Sequence, residues 1–469
     1  MKEAQNPDEM LHTALSNVGE EPIIDAGTLE VKEKTKLAPA EKTEEDASPD
    51  FRPLWKNIPA QVTIITGLNG GKTSKGTFDD FVAHFRNRYE KISKMLANRG
   101  QLSLTSVENL KKHRGEKVKI IVMVTEKRTT KNGHVFISAE DPTGVASVLV
   151  PSSNRELVSF CEKIMPDEII AIEGSQKSEL FIAESIHQPD IPLKEVKTTE
   201  DDIGIVMISD IHVGSRLFMK KNFEQFIEWI NGKRGNEKQR EIAAKVKYVC
   251  MAGDLVDGIG IYPKQEEELL ITDIFEQYKT FTEYVKQIPP HIQVIISPGN
   301  HDAVKTSDPQ PPLPRELVPE LYETKNVTLV SSPALVNVHG LKVLIYHGTC
   351  FIDIINNIPN SKFDAGAKMM VELLKRRHVH PFYSGKPITP EPNDVMVIED
   401  VPDIFVCGES HNNSYEQYRG TLCINAGTWQ ALTEYQIKQG HKATPCIVPV
   451  IETKYGRISV IRFDKEVEA

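Results

Sequence analysis

The sequence lacks the features of a membrane or secreted protein and has no excess of basic charge. No apolar run approaches the roughly 20 residues that a membrane-spanning helix needs, and the opening MKEAQNPDEM contains no signal-peptide core. The chain has 56 lysines and arginines and 66 aspartates and glutamates, which gives a net charge of −10. A general nucleic-acid binder would be expected to carry a net positive charge. We therefore expect a soluble, cytoplasmic chain with no membrane contact, in which any nucleic-acid contact comes from local basic patches.

Cysteine is also scarce. The chain has 6 cysteines among 469 residues and no C-x-x-C pair, and several lie in apolar runs such as KYVCMAG and TLCINAG. This pattern excludes a zinc knuckle and a disulfide framework, and it predicts reduced, buried thiols. The length is sufficient for about three domains.

The first 115 residues divide into a tail and a helical segment. Residues 1–50 are polar and acidic, which predicts a disordered tail or linker. Residues 51–115 form the predicted helical segment, because apolar residues recur at spacings of three and four between Thr77 and Asn98. Thr77 is the predicted N-cap. The opposite face is expected to be solvated or, alternatively, to contact DNA or a partner; it carries Arg86, Arg88, Lys91 and Lys94.

A glycine-rich stretch, GLNGGKTS, precedes this helix. A phosphate-binding P-loop with this spacing needs glycine where the chain has Thr66, so we interpret the stretch as a flexible turn.

Residues 116–198 have the pattern of a small β barrel. Three strand-like runs, KVKIIVMVTEKRTT, HVFISAED and VASVLVP, precede a helix around Arg155 to Met165, and EIIAIEG and LFIAESI follow it. This order predicts a five-stranded OB barrel. Such barrels often bind single strands through basic and aromatic side chains. Nucleic-acid binding and a packing or docking role both remain open; the candidate side chains are Lys127, Arg128, Lys131, Phe136, Phe160 and Phe181.

From residue 199 to 469, strand-like runs repeatedly end in polar clusters. These runs are IGIVMISDIH, KYVCMAGDLVD, QVIISPGNHD, LKVLIYHG and DIFVCGESH. Ligands of α/β sheets gather where strands end, and carboxylate, amide and imidazole groups are ligands for divalent cations. No single cluster is decisive, but the ordered set predicts a two-metal site. Its candidate ligands are Asp210, His212, Asp254, Asn300, His347 and His411.

The ordered motifs D-x-H, G-D-x-x-D, G-N-H-D and Y-H-G resemble those of the calcineurin-like metallophosphoesterase superfamily. The resemblance implies an α/β fold in which two sheets are sandwiched by helices, and two divalent cations, Mn²⁺ or Mg²⁺. It implies a first ion held by the side chains of Asp210, His212, Asp254 and His411. The implied ligands of the second ion are Asp254, Asn300, His347 and the first histidine of a terminal G-H-x-H motif.

In this chain the terminal motif reads G-E-S-H, and Glu409 replaces that histidine. A carboxylate can bind hard cations such as Mn²⁺ or Mg²⁺. Alternatively, Glu409 points away and leaves the second site one ligand short. The resemblance further implies that His301 protonates the leaving oxygen as a general acid, with Asp302 orienting it. Asp257 is interpreted as stabilising its loop by hydrogen bonds.

A barrel ahead of a phosphoesterase domain resembles the small subunits of replicative DNA polymerases, most closely those of the archaeal family D polymerase. The likeness is carried by GTFDDFVAHFRNRYEKISKML, ISDIHVGSRLF, MAGDLVDGIGIYPKQ, GNHDAV and YRGTLCINAGTWQ. It implies a 3′–5′ exonuclease that proofreads single-stranded 3′ ends for a large catalytic subunit, in the nucleoid of an archaeal cell. A sliding clamp is a further candidate partner, although no clamp motif is evident near the C-terminal FDKEVEA.

Two other functions stay open: a scaffold subunit weakened by Glu409, and a free-standing phosphodiesterase. One further basic stretch is interpreted as either a solvated helix end or a phosphate-contacting patch. It comprises Lys375, Arg376, Arg377, His378 and His380.

Overall fold

The computed structural model describes residues 51–68, 74–433, 436–437 and 442–464. The predicted tail at residues 1–50, the centre of the glycine-rich turn and the last five residues of FDKEVEA lie outside these ranges. Within them, no helix is both long enough and apolar enough to cross a bilayer.

The segment 51–115 contains a strand as well as helices. Strand β1 spans Val62–Thr66, helix α1 spans Phe78–Leu96, and a 3₁₀ helix spans Val107–His113. The N-cap prediction is confirmed: the side chain of Thr77 accepts a hydrogen bond from the Asp80 backbone, and the Asp80 carboxylate accepts one from Thr77 N–H. The segment thus contains the expected helix, and it also contains β1, which pairs with a strand about 270 residues later in the chain.

The basic face of α1 is only partly solvated. Arg86 and Lys94 are exposed, as predicted, whereas Arg88 is buried. The Arg88 Nε lies 2.8 Å from a carboxylate oxygen of Asp394, which is buried as well. The expectation of a solvated face is therefore wrong for Arg88, because a distant loop folds over this side of the helix and supplies its counter-ion.

The predicted barrel is confirmed in its strand count, element order and closure. Its hydrogen-bonded order is β2-β3-β4-β6-β5, with the ring closed between β5 and β2. The elements are β2 (Lys117–Thr129), β3 (Val135–Asp141), β4 (Gly144–Val150), α2 (Arg155–Glu162), β5 (Ile169–Lys177) and β6 (Leu180–His187). Alternate residues of β2 and the ring of Phe181 fill the interior.

Two side chains considered for nucleic-acid contact serve the packing of this barrel. Lys127 Nζ donates hydrogen bonds to the carbonyls of Cys161, Glu162 and Ile164 at the C-terminal end of α2. Phe181 lies in the core. The barrel therefore uses both residues internally.

Two six-stranded sheets follow. The first has the order β10-β9-β8-β7-β16-β17 and the second β1-β11-β12-β13-β15-β14. The first sheet contains β7 (Gly204–Ile208), β8 (Val246–Ala252), β9 (Gln293–Ser297), β10 (Val327–Leu329), β16 (Ile447–Glu452) and β17 (Arg457–Arg462). The second adds β11 (Ala334–Val338), β12 (Leu341–Ile345), β13 (Ile404–Cys407), β14 (Asn413–Tyr418) and β15 (Thr421–Ala426) to β1.

Helices cover the outer faces of the two sheets. They are α3 (Lys220–Ile230), α4 (Glu237–Lys245), α5 (Ile274–Lys286), α6 (Pro319–Glu323), α7 (Phe351–Asn357) and α8 (Gly366–Arg376), with 3₁₀ turns at Gln265–Glu267 and Phe363–Ala365. Ile205 and Met207 of β7 pack against the second sheet, whereas Val206 and Ile208 pack with the helices. This alternation buries both faces of the strand, and it explains the continuous apolar runs in the sequence. All six cysteines are buried and free, as predicted.

The basic stretch at the end of α8 is neither a solvated helix end nor a phosphate-contacting patch. Arg376, Arg377, His378 and His380 are all buried. The guanidinium of Arg376 lies 2.6 Å from the carboxylate of Glu168, which belongs to the barrel. Both interpretations are therefore wrong, because these charges are used to pack the barrel and a neighbouring loop against the sheets.

Candidate metal centre

The candidate ligands follow strands that end at one edge of the two stacked sheets. Strands β7, β8 and β9 are parallel neighbours in the first sheet, and β12 and β13 are parallel neighbours in the second. The loops after these strands carry the polar side chains, so chain direction alone gathers the clusters. The predicted residues found there are Asp210, His212, Asp254, Asn300, His301, His347, Glu409 and His411.

The backbone at these positions adopts the left-handed conformation that non-glycine residues seldom adopt. The φ angles are 50° at Asp210, 54° at His212, 50° at Asp254, 66° at Glu409 and 52° at His411. Each such residue costs of order 1 kcal/mol or more and persists only when its surroundings enforce it. A concentration of strained residues at one edge of the sheets is typical of a functional site.

Two glycines allow the loops to approach this closely. A Cβ atom on Gly253 would lie 2.5 Å from Nδ1 of His347, and one on Gly408 would lie 2.3 Å from a carboxylate oxygen of Asp210. Any side chain at either position would therefore displace a candidate ligand.

One group of atoms matches the implied first-metal site. Nε2 of His411 lies 3.2 Å from Oδ1 of Asp210 and 3.2 Å from Nε2 of His212. Nε2 of His212 lies 3.9 Å from the same Asp210 oxygen and 3.8 Å from Oδ2 of Asp254. The four side chains are buried and converge on one point.

A second group adjoins the first through Asp254. Nε2 of His347 lies 3.2 Å from Oδ2 of Asp254 and 3.1 Å from Oε2 of Glu409. The Glu409 carboxylate is thus directed into the cluster and not away from it. Oδ2 of Asp254 faces both groups, which is the position of a bridging carboxylate.

The residues fit divalent cations. Among the described residues, Oδ1 of Asn300 is buried without a hydrogen-bond partner. The equally buried Oδ1 of Asp210 and Nε2 of His347 have polar neighbours only among the other candidate ligands, at 3.1–3.2 Å. Such atoms are costly to bury unless something satisfies them. Ligand atoms about 2.1 Å from one cation and at right angles lie about 3 Å apart, close to the shortest separations here. The donors are carboxylate, imidazole and amide groups, a set that suits Mn²⁺ or Mg²⁺.

The imidazoles are oriented by contacts outside the cluster. Nδ1 of His347 lies 2.7 Å from the carbonyl of Ala252, and Nδ1 of His212 lies 3.0 Å from a carboxylate oxygen of Asp257. With Nδ1 directed to these oxygens, a cation that displaces the proton from Nε2 would meet an electron pair facing the site. Asp257 therefore does more than stabilise its loop, which is a role that the sequence reasoning missed. Its spacing three residues after Asp254 was the available signal.

The two predicted catalytic residues have different environments. Nε2 of His301 lies 4.0 Å from Oδ2 of Asp254, at the edge of the cluster. Its Nδ1 lies 2.8 Å from the backbone carbonyl of Asp257, so this carbonyl orients the ring. The Asp302 carboxylate instead accepts hydrogen bonds from Gly299 N–H and the Tyr278 hydroxyl. Burial, together with the charge of Asp254, raises the pKa of Asp302 to about 7.

The charges of the cluster stabilise one another. Burial by itself disfavours the ionised form of Asp254, but neighbouring His347 and His301 hold the pKa of this carboxyl well below its ordinary value. Asp254 is therefore a carboxylate at neutral pH, as a bridging ligand must be.

Comparison with known proteins connects this site to DNA replication. The family model for the B-type subunit of DNA polymerases alpha and epsilon matches residues 205–416. The DNA polymerase II small subunit of Methanocaldococcus jannaschii is 38% identical over 416 residues, which cover 87% of this chain and 70% of that protein. The DNA polymerase II small subunit of Archaeoglobus fulgidus is 39% identical over 401 residues, which cover 85% of this chain and 80% of that protein.

The chain belongs to the family of archaeal DNA polymerase II small subunits. The resemblance to the family D polymerase drawn from the motifs is thereby confirmed. A third member, from Methanothermobacter thermautotrophicus, is 39% identical and covers 80% of this chain and 77% of its own length. Every candidate ligand of this small subunit, from Asp210 to His411, lies within the stretch that the family model matches.

Proposed function

We propose that this small subunit is a metal-dependent 3′–5′ exonuclease that removes mispaired nucleotides for its polymerase. The observation that carries the proposal is the convergence of the Asp210, Asp254 and Glu409 carboxylates and three imidazoles on adjoining points. Oδ1 of Asn300 is also buried, and it has no hydrogen-bond partner among the described residues. We assign the two stacked sheets with outer helices to the calcineurin-like metallophosphoesterase fold, whose ligands also follow the strand ends.

Two cations would supply an activated water and neutralise charge on the phosphoryl oxygens. The first would be held by Asp210, His212, Asp254 and His411, and the second by Asp254, Asn300, His347 and Glu409. In hydrolysis, a water oxygen forms a bond to the phosphorus of the terminal nucleotide and releases a proton. The bond from phosphorus to the 3′ oxygen of the preceding nucleotide breaks, and a 5′-mononucleotide leaves.

His301 is the proposed general acid. Its Nδ1 is held by the Asp257 carbonyl, so the ring presents Nε2 towards Asp254 and the cluster. A proton on Nε2 can pass to the departing 3′ oxygen, which would otherwise leave as an alkoxide. Asp302 holds the Gly299 turn and thereby positions His301 through the backbone.

The partners follow from the family. A small subunit implies a large catalytic subunit, and a proofreading site implies single-stranded DNA with a 3′ end. A sliding clamp is a further partner in this proposal. No described surface residue singles out the clamp, so this contact rests on the resemblance alone.

A second candidate function is that of a scaffold subunit with little hydrolytic activity. The replacement of an imidazole by the carboxylate of Glu409 favours it, because the added negative charge repels an anionic phosphodiester. The position of this carboxylate 3.1 Å from His347 instead favours a working ligand.

The test is hydrolysis of a 3′-mismatched single-stranded oligonucleotide with Mn²⁺ or Mg²⁺, by the chain alone and with its large subunit. We expect mononucleotide release and a loss of about 10²- to 10⁴-fold in His301→Ala. We expect no change in His113→Ala, which alters a partly exposed histidine of the 3₁₀ helix. Absence of release by the wild-type complex with either cation overturns the proposal and supports the scaffold.

A further inference from the structure

The loop formed by residues 258–268 exposes apolar side chains beside the candidate metal centre. It follows Asp257 directly and is called the Tyr262 loop here. Ile259 is 46% exposed and Ile261 is 36% exposed, and Leu270 just beyond the loop is 68% exposed. Exposed apolar residues that cluster at the rim of a site indicate a binding surface.

Tyr262 is the aromatic member of this surface. The centroid of its ring lies 6.2 Å from that of the His301 imidazole, with the planes inclined at 57°. The ring of His212 lies 4.7 Å from that of His301 as well. His301 is therefore a neighbour of both a candidate metal ligand and Tyr262. Any group that contacts Tyr262 is within reach of the bond that His301 would help to cleave.

The loop is held in place by the residue that orients the site histidines. The buried amide of Gln265 donates hydrogen bonds to the backbone carbonyl of Asp257, at 2.8 Å, and to its carboxylate, at 3.1 Å. The same amide accepts a hydrogen bond from Ile261 N–H, and the hydroxyl of Tyr262 donates one to Glu268. The aromatic ring is thus fixed relative to His301 before any ligand arrives.

We propose that the Tyr262 loop binds the 3′-terminal nucleoside of single-stranded DNA, with the Tyr262 ring stacking on the base and Ile259 and Ile261 contacting its edge. The inference rests on the proposed exonuclease function and extends it to a specific subsite. Stacking on an aromatic ring accepts any of the four bases, which suits an enzyme that must remove whichever nucleotide is mispaired.

Charge restricts what this surface can hold. Glu266 and Glu267 are exposed on the loop and outnumber its one exposed cation, Lys264, so the loop as a whole repels the phosphates of a DNA backbone. An uncharged base meets no such repulsion. A protein segment of the large subunit is the competing occupant, but a segment seated against Tyr262 would cover His301 and obstruct the site that proofreading requires.

The experiment measures binding without hydrolysis. The probe is a single-stranded oligonucleotide with 2-aminopurine at its 3′ end, titrated with the complex of both subunits in the presence of Mn²⁺. All proteins carry His301→Ala so that the 3′ end stays intact. The variants are Tyr262→Ala, Tyr262→Phe and, as a matched control, Tyr322→Ala, which removes a tyrosine of α6 that is 40% exposed.

We expect the reference complex to quench the fluorescence of the terminal base. Tyr262→Ala should lose most of the quenching and weaken binding roughly 5- to 150-fold, the effect of removing one base stack. Tyr262→Phe should retain both the quenching and the affinity, because it keeps the aromatic ring. Tyr322→Ala should quench and bind as the reference complex does. With His301 restored, Tyr262→Ala should raise KM more than it lowers kcat.

Equal quenching and affinity in Tyr262→Ala and Tyr322→Ala would overturn the subsite. So would a Tyr262→Ala variant that keeps its quenching but loses the large subunit on co-purification, since the loop would then be a protein contact. A different result would contradict the exonuclease proposal and leave the subsite intact. In that case the quenching would still depend on Tyr262, but the complex with His301 intact would release no nucleotide.

Discussion

Oε2 of Glu409 lies 3.1 Å from Nε2 of His347, and the same nitrogen lies 3.2 Å from Oδ2 of Asp254. The resemblance implies a histidine at the position of Glu409. The Glu409 oxygen nevertheless lies beside His347, where the nitrogen of that histidine would be expected. In the proposed second metal site, one imidazole donor would thus be exchanged for a carboxylate. This exchange favours hard cations over softer ones.

Neutralising Glu409 should weaken the second site. In Glu409→Gln we expect bound Mn²⁺ to fall from about two towards about one ion per chain, because an amide is a poorer ligand than a carboxylate for a hard cation. Isothermal titration or anomalous scattering from Mn²⁺-soaked crystals measures the stoichiometry. Glu241→Gln, on the exposed side of α4, is the control. An unchanged second ion in Glu409→Gln would rule out ligation by Glu409.

Removing the charge of Asp257 should weaken the first site without touching a ligand. The carboxylate lies 3.0 Å from Nδ1 of His212 and makes that imidazole a better donor. Mutation of such an orienting partner typically costs about 10- to 100-fold in metal affinity, which we expect for Mn²⁺ in Asp257→Asn. Calorimetric titration with Mn²⁺ measures this affinity. Asp79→Asn, in the first turn of α1, is the control. Equal affinities in the two variants would contradict this role for Asp257.

Two arginines of α1 should differ sharply in their effect on stability. Arg88 is buried and paired with the buried Asp394 at 2.8 Å, whereas Arg86, half a turn away, is exposed. Arg88→Ala removes the guanidinium that neutralises the buried Asp394 carboxylate, which keeps only the His378 and His84 rings and the Met396 N–H beside it. The substitution should lower the free energy of unfolding by about 3–5 kcal/mol. Arg86→Ala should change it by less than about 0.5 kcal/mol. Denaturant titration compares them, and similar losses would show that the ion pair is unimportant.

Glu173 of the barrel should make stability depend on acid pH. Burial alone raises its pKa, but hydrogen bonds from Leu102 N–H, the Ser185 hydroxyl and Gln101 N–H lower it to about 2. The ordinary value is 4.5, so the unfolded chain binds the proton first. The stabilisation by Glu173 is complete above about pH 4.5 and disappears as the pH falls towards about 2.

The measurement is the difference in free energy of unfolding between the wild type and Glu173→Gln at several pH values. This difference should be largest near neutral pH and should shrink below about pH 4.5. Glu126→Gln on β2, which is exposed, supplies the control without such a trend. A difference that stays constant or grows on acidification would exclude the assigned linkage.

Features that depend on neighbouring residues in the chain were predictable. Helix α1 and its Thr77 cap follow from the apolar period and from side chains three residues apart. The barrel follows from alternating strands separated by turns. The candidate ligands were recognisable because each follows an apolar strand, and parallel strands end at a common edge.

Features that depend on distant residues were not predictable. Strand β1 pairs with the distant strand β11, and the counter-ion of Arg88 is the distant Asp394. Lys127 appeared available for DNA, but it satisfies carbonyls at the end of α2. The role of Asp257 likewise needs His212, which is 45 residues earlier. The charge of a residue and the spacing of apolar residues can be found in the sequence. The burial and the partners of a side chain depend on residues that are far away in the chain.

The amino-acid sequence by itself determined the order of the elements, the family and the residues that can act as ligands, because these depend on composition, period and motif. Only the tertiary structure decided that Glu409 is directed into the cluster, that Asp257 orients two histidines, and that Tyr262 lies beside His301. The reason is geometric: a ligand set or a binding surface is defined by distances of a few ångströms between loops that follow separate strands, and the stacking of the two sheets sets those distances.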